Sequence, residues 1–421
     1  MRNEISRRDF GRIAGLGLGG AVLIPGYGQA HAAARTWKVT GRLGTGLGGF
    51  DTTMKTFMQE RGVSCGSLAV VRKGRLLAAR GYTWSDDTAL STSPTSLFRL
   101  ASLSKPVTAA AVLKLVQDGK LSLDAPVTSL LALAPPAGGT ADPRLGQVTV
   151  RRLLQHTGGW DSGISADPMF SNFTISRALG VPLPITKANI AAHTTGRPLD
   201  HAPGSTYAYS NYGYMLLGLI IEKAGGLPYR DYVQQKILTP LGITRMRLGR
   251  TLKPHAAAGE VPYNSQYTAA TVFDASGTIV PGPYGTFNLE NMDAHGGWLG
   301  TAVDMVRFAG LFDAAGTVLN STSLSRAFAE PETGVNANGW YYGCGWQVRP
   351  VTGGRNTWHT GSLSGTYTVL IRRSDGISFA ALFNQRDDAS GKSYAEIDSL
   401  LNKAANAVTT WPTTDLYSQY F

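Results

Sequence analysis

The chain is poor in cysteine and in charge. Two cysteines, Cys65 and Cys344, in 421 residues make no disulfide framework. An oxidising compartment permits one bridge between them, and two buried free thiols are the alternative. Charged residues make up 16%, against a typical ~25%. Lys and Arg outnumber Asp and Glu by 39 to 28. These cations are scattered, with no basic run or helix stripe, which argues against nucleic acid as a partner. The histidines 31, 156, 193, 201, 255, 295 and 359 form no close pair and no H-E-x-x-H, so no metal is expected. Glycine and proline stay short of the ~25–30% that marks disorder. At 43% hydrophobic, a chain this long can bury a large core.

Long apolar runs are missing too. The most apolar stretch, Ile13–Ile24, falls short of the ~20 residues a spanning helix needs, so no stable membrane span is expected. It follows a basic start, and Ser6-Arg7-Arg8-Asp9-Phe10 resembles a twin-arginine export signal. Small residues near Ala30–Ala34 fit a cleavage site. Residues 1–34 therefore read as an export segment, placing the mature protein in the periplasm or outside the cell.

Three patterns mislead. Gly15-x-Gly17-x-x-Gly20 lies in the export segment. Gly44-x-Gly46-x-x-Gly49 has no acidic residue at the end of a strand about 20 positions on, so no nucleotide cofactor is expected. Gly62-Val63-Ser64-Cys65-Gly66 fits a nucleophile elbow, but a strand hairpin follows it where that chemistry needs a helix.

What is present is a sheet drawn from both chain ends. Phe50, Met54, Phe57 and Met58 lie on one helical face. Ser67–Val71 and Arg75–Tyr82 read as a hairpin. Tyr341–Val348, Thr366–Arg372 and Ile377–Phe383 read as strands, and Tyr394–Val408 as a closing helix. The middle is helical, over Ala109–Gln117 and Tyr212–Ala224, with long irregular loops. The expectation is an α+β fold in one unit over 35–421. Its sheet part spans about 50–100 and 340–410, and the inserted helical part about 101–339. A site is expected where the two parts meet.

Ser102-Leu103-Ser104-Lys105 puts an amine and a hydroxyl on one face at the start of a helix. An N–H in a first turn is free to serve an oxyanion. Pro106 fits only if the turn is loose or the helix starts later. Tyr209-Ser210-Asn211 supplies a phenol that a nearby lysine cation would make more acidic; Asn211 capping the following helix is the plainer reading. His359-Thr360-Gly361-Ser362 stands at the entry to a strand, where Ser362 N–H could be a second oxyanion donor.

In their order and surroundings these elements resemble the serine β-lactamase superfamily. The likeness is to its class C branch, with D-Ala-D-Ala carboxypeptidases and lactamase-like esterases. Phe98–Leu121, Val150–Thr157, Pro203–Ile243, Gly296–Met305 and Tyr342–Trp346 carry it through nearly the whole mature chain. The resemblance implies the β-lactamase/transpeptidase-like fold, with Ser102 as acylated nucleophile and Lys105 and Tyr209 as the proton-transfer pair. Asn211 would hold the acyl side of the substrate, Ser102 and Ser362 N–H groups would form the oxyanion hole, and His156 would be mainly structural. His359, Thr360, Gly361 and Ser362 would border the substrate, with Trp298 at the mouth. His359 stands where β-lactamases carry a lysine. That favours small esters and D-amino-acid amides or short peptides over anionic β-lactams, although Arg349 or Arg355 could restore a partner for a carboxylate. The expected activity is that of a serine hydrolase needing no cofactor, acting on a small molecule or short peptide. The alternatives are a β-lactamase and a non-catalytic peptidoglycan-binding protein.

Overall fold

The computed structural model describes residues 35–316 and 318–421; residues 1–34, the expected export segment, lie outside them. Its centre is an eight-stranded antiparallel sheet. The first three strands are β1 (Thr36–Leu43), β2 (Cys65–Arg72) and β3 (Arg75–Ser85). The C-terminal part adds β4 (Tyr341–Tyr342), β5 (Gln347–Val351), β6 (Gly354–Leu363), β7 (Thr366–Arg372) and β8 (Ile377–Phe383). The spatial order is β1-β3-β2-β8-β7-β6-β5-β4, so both chain ends do build one sheet.

Alternation divides the side chains of the central strands between two cores. Leu68, Val70, Phe379, Ala381 and Phe383 face outward onto helix α1 (Gly48–Glu60) and the C-terminal helix (Glu396–Asn406). Phe50, Met54, Phe57, Ile397 and Leu401 fill that layer, at the helical spacing expected of α1. Ala69, Val71, Ala380 and Leu382 face the inserted helical region. That region is led by α2 (Ser104–Gln117), followed by α3 (Lys187–Thr195), α4 (Asn211–Gly225) and α5 (Ala302–Ala309). No helix among the described residues is long and apolar enough to cross a membrane.

Two sequence expectations need correcting. Tyr341–Val348 is not one strand: Gly343–Trp346 interrupts it between β4 and β5. His359–Ser362 lies inside β6, paired with β7, and not at the entry to a strand. The inward positions of β6 are Thr357, His359, Gly361 and Leu363, too polar to give an apolar alternation. Edge strand β1 was not anticipated at all. Cys65 and Cys344 are free and buried, which decides between the two cysteine readings.

The irregular stretch after α4 is organised by one buried cation. Arg99 donates to the carbonyls of Pro283 at 2.6 Å and of Arg250 and Thr251 at 3.0 Å. Its guanidinium stacks over Tyr263 at 4.4 Å and pairs with Glu260 at 3.6 Å. The two side chains are 2% and 1% exposed, so truncating one strands the other's charge in the interior. Arg99→Ala is expected to cost about 3–5 kcal/mol of stability. Urea unfolding monitored by tryptophan fluorescence measures it, and a loss under 1 kcal/mol would mean the loops hold themselves.

Candidate active site

Ser102 sits on a turn that other elements hold in place. Phe98–Arg99 pairs with Trp298–Gly300 and leads into a 3-10 turn, Ala101–Leu103, from which α2 continues at Ser104. Ala101 adopts φ +48°, a left-handed conformation that costs a non-glycine residue roughly 1–3 kcal/mol. The flanking backbone is fixed by side chains of β7. Thr366 and Thr368 donate to the carbonyls of Arg99 and Leu100 at 3.0 and 2.9 Å. Strand β6 passes close to this turn. A Cβ on Gly361 would lie 2.3 Å from the Leu100 carbonyl and 3.1 Å from Ser102 N, so only glycine permits the approach. Pro106 falls in the first turn of α2, where a missing N–H removes no helical bond.

Lys105 is fully buried, and its amine makes three contacts: Ser102 Oγ at 3.1 Å, Asn211 Oδ1 at 2.7 Å and the His295 carbonyl at 3.0 Å. Burial pulls the amine well below the ordinary lysine value, with the nearby Asp167 carboxylate acting the other way. A neutral amine keeps two N–H donors for Asn211 and His295 and turns its lone pair to the Ser102 hydroxyl. This arrangement suits a general base.

Tyr209 differs from expectation. The Lys105 amine lies over the face of its ring, 4.6 Å from the centroid. Burial raises the phenol, and its hydrogen bond with Ser102 opposes that. Burial, the larger of the two influences, favours a neutral phenol beside Ser102. His156 holds this segment. Its carbonyl accepts from Ala208 N–H at 2.9 Å, and its Nδ1 accepts from Ser210 N–H at 3.1 Å. The cap of α4 is Ser210, whose Oγ accepts from Gly213 N–H, and not Asn211. Asn211 is thereby free to bridge Lys105 and, through Nδ2 at 2.6 Å, Asp167.

His359 is buried, with both ring nitrogens engaged. Nδ1 donates to the Thr360 carbonyl and Nε2 accepts from the Tyr342 hydroxyl, each at 2.7 Å. Burial, aided by Lys105, pulls it down to about 3, so it stays neutral. Thr360 is half-buried and Ser362 exposed, at the open end of β6. Trp298 must be corrected: it is completely buried, and its indole donates to Tyr229 at 2.9 Å, so it does not line the mouth. Its main chain serves the site instead, since Leu100 N–H donates to its carbonyl at 2.8 Å. Arg349 and Arg355 stack on Trp358 and Phe328, toward the far end of β6 from His359.

Sequence reasoning missed two residues. Arg386 reaches the Ser362 hydroxyl at 3.3 Å and keeps 28% of its side chain exposed, which brings a cation to the end of the site. Asp167 caps the Pro168–Phe170 turn and fixes Asn211. An Asp-Pro pair in a long loop is a capping signal, but nothing in it points toward the lysine.

A profile of the family described as Beta-lactamase matches residues 50–401, and the chain belongs to that family. Protein flp of Staphylococcus aureus is 26% identical over 297 residues, 69% of this chain and 55% of that one. The chain thus spans about half the length of that curated relative. A probable fimbrial assembly protein FimD of Dichelobacter nodosus is 37% identical over 145 residues, 34% of each chain. Among solved structures, D-amino acid amidase from Ochrobactrum anthropi with bound L-phenylalanine has a TM-score of 0.65 at 23% identity, over 87% of this chain and 99% of that one. The octameric penicillin-binding protein homologue from Pyrococcus abyssi has a TM-score of 0.63 at 24% identity, covering 86% of this chain and 77% of that one. At these identities the structures show a shared fold. Fold and family are those of serine-hydrolase-type enzymes.

A pH–rate profile with p-nitrophenyl butyrate checks the electrostatics. Turnover is expected to rise with pH along a limb well below the ordinary lysine value. Asp167→Asn removes the negative charge that favours the ammonium, so its limb should move to lower pH. An unmoved limb would mean that Asp167 does not act on Lys105.

Proposed function

We propose, with membership of the β-lactamase family as premise, that this chain is an exported serine hydrolase. It acts through an acyl-enzyme on small esters or on D-amino-acid-containing amides and short peptides. The observation that carries this reading is the buried Lys105 amine, held by Asn211 and His295 and set 3.1 Å from Ser102 Oγ. Lys105 accepts the Ser102 proton as Oγ bonds to the carbonyl carbon. The Ser102 and Ser362 N–H groups receive the oxyanion, and the neutral Tyr209 phenol relays the proton to the leaving group. Water then attacks the acyl-serine and the same groups return the proton to Ser102.

The substrate range is supported by the fold shared with the Ochrobactrum D-amino acid amidase and by His359. A neutral, fully engaged imidazole gives a β-lactam carboxylate no cation at that position. Export rests on residues 1–34 alone.

The mature protein is expected to turn over p-nitrophenyl butyrate, with Ser102→Ala reducing kcat by about 10⁴-fold or more. Intact-mass spectrometry should find the acyl group on wild type and not on the variant. Full turnover by Ser102→Ala would overturn the mechanism. No turnover and no adduct with any acylating reagent would favour a binding protein. Prior incubation with penicillin separates a site that retains the drug, and so loses esterase activity, from one that ignores it.

A further inference from the structure

Beside Asn211, on the side away from Lys105, is a cavity that the mechanism does not use. Its walls include Asp161, Asp167, Thr194, Arg197 and Tyr209, and Ser102 does not line it. Its free volume, about 20 Å³, holds one water-sized group. Thr194, near the end of α3, is 5% exposed, and its hydroxyl has no hydrogen-bond partner. A buried hydroxyl in that state costs stability unless something enters to bond with it.

Two carboxylates, Asp161 and Asp167, and one guanidinium, Arg197, line this space. Asp167 receives Asn211 Nδ2 at 2.6 Å and Met169 N–H at 2.9 Å. Asp161 receives Gly163 N–H at 2.8 Å and meets His201 Nε2 at 2.9 Å. Each carboxylate oxygen keeps a further lone pair. Arg197 is exposed at the rim and reaches only the Ser165 carbonyl, at 3.4 Å. It is paired with neither acid.

We propose that this cavity is an acyl-side subsite for an ammonium group at the end of a substrate side chain, received by Asp161, Asp167 and the Thr194 hydroxyl. The inference rests on the hydrolase reading above. An ammonium is water-sized, and its three donors match the three acceptors. Position selects a side-chain charge over an α-amino group. Asn211 stands between the cavity and Lys105, and a charge two bonds from the acyl carbon stays on the Ser102 side. At the opposite end of the site Arg386, paired with Asp387 at 3.7 Å, lies beside Ser362. The preferred substrate is thus a basic acyl group, such as a D-diamino acid.

Three p-nitrophenyl esters on one skeleton test this. N-acetyl-D-lysine carries the charge at the side-chain end, D-norleucine at the α position, and N-acetyl-D-norleucine nowhere. Wild type is expected to favour the lysine ester over the neutral one by about tenfold in kcat/KM, and less so at high salt. Asp161→Asn and Thr194→Val should each shrink that ratio toward one; because the ratio is taken within each variant, a general loss of activity cancels. Equal turnover of lysine and neutral esters by wild type, or a preference for the α-charged ester alone, would overturn the subsite and leave the hydrolase standing. If wild type hydrolyses none of the three, calorimetry on Ser102→Ala decides the subsite separately. Tighter binding of N-acetyl-D-lysinamide than of N-acetyl-D-norleucinamide upholds it, and equal binding ends it.

Discussion

The site depends on burying the amine of Lys105. An interior ammonium without acceptors is costly, and a neutral amine still has donors to satisfy. Here its hydrogen-bond partners come from three separate pieces of chain. Ser102 precedes α2, Asn211 opens α4, and His295 lies before the Trp298–Gly300 strand. Satisfying one side chain therefore fixes how the inserted helical region closes on itself. The basicity of the lysine and the packing of that region are one physical problem.

The sheet solves a second problem, how to present a serine on a strained turn without letting the turn relax. Ala101 alone would prefer another conformation. The hydroxyls of Thr366 and Thr368, on alternate positions of β7, grip the two carbonyls before it, and Gly361 lets β6 lie against Ser102 N. Both threonines are completely buried, so these bonds form in a low-dielectric setting where losing them is expensive. The nucleophile belongs to the helical part by sequence and to the sheet by support.

Strands β7 and β8 were legible in the sequence to their ends because two short runs rich in apolar and β-branched residues flank a Ser-Asp-Gly turn. Ser102 and Lys105 were legible because a spacing of three on a helix is a geometric statement. Strand β6 was not, since three of its four inward positions are Thr357, His359 and Gly361. Trp298 was misplaced for a related reason: nearness in sequence to site loops does not say which way an indole points. Asp167 and Arg386 act through single contacts across long separations, at Asn211 and Ser362, and no local pattern encodes such contacts.

Arg99 leaves a consequence for how this molecule could change over generations. Its guanidinium fastens the segments around 250 and 283 through main-chain carbonyls, which every amino acid supplies. Side chains there can drift while the path of the loops is kept. One arginine therefore separates inheritance of the scaffold from inheritance of the surface near the site, leaving the second open to mutation at little structural risk.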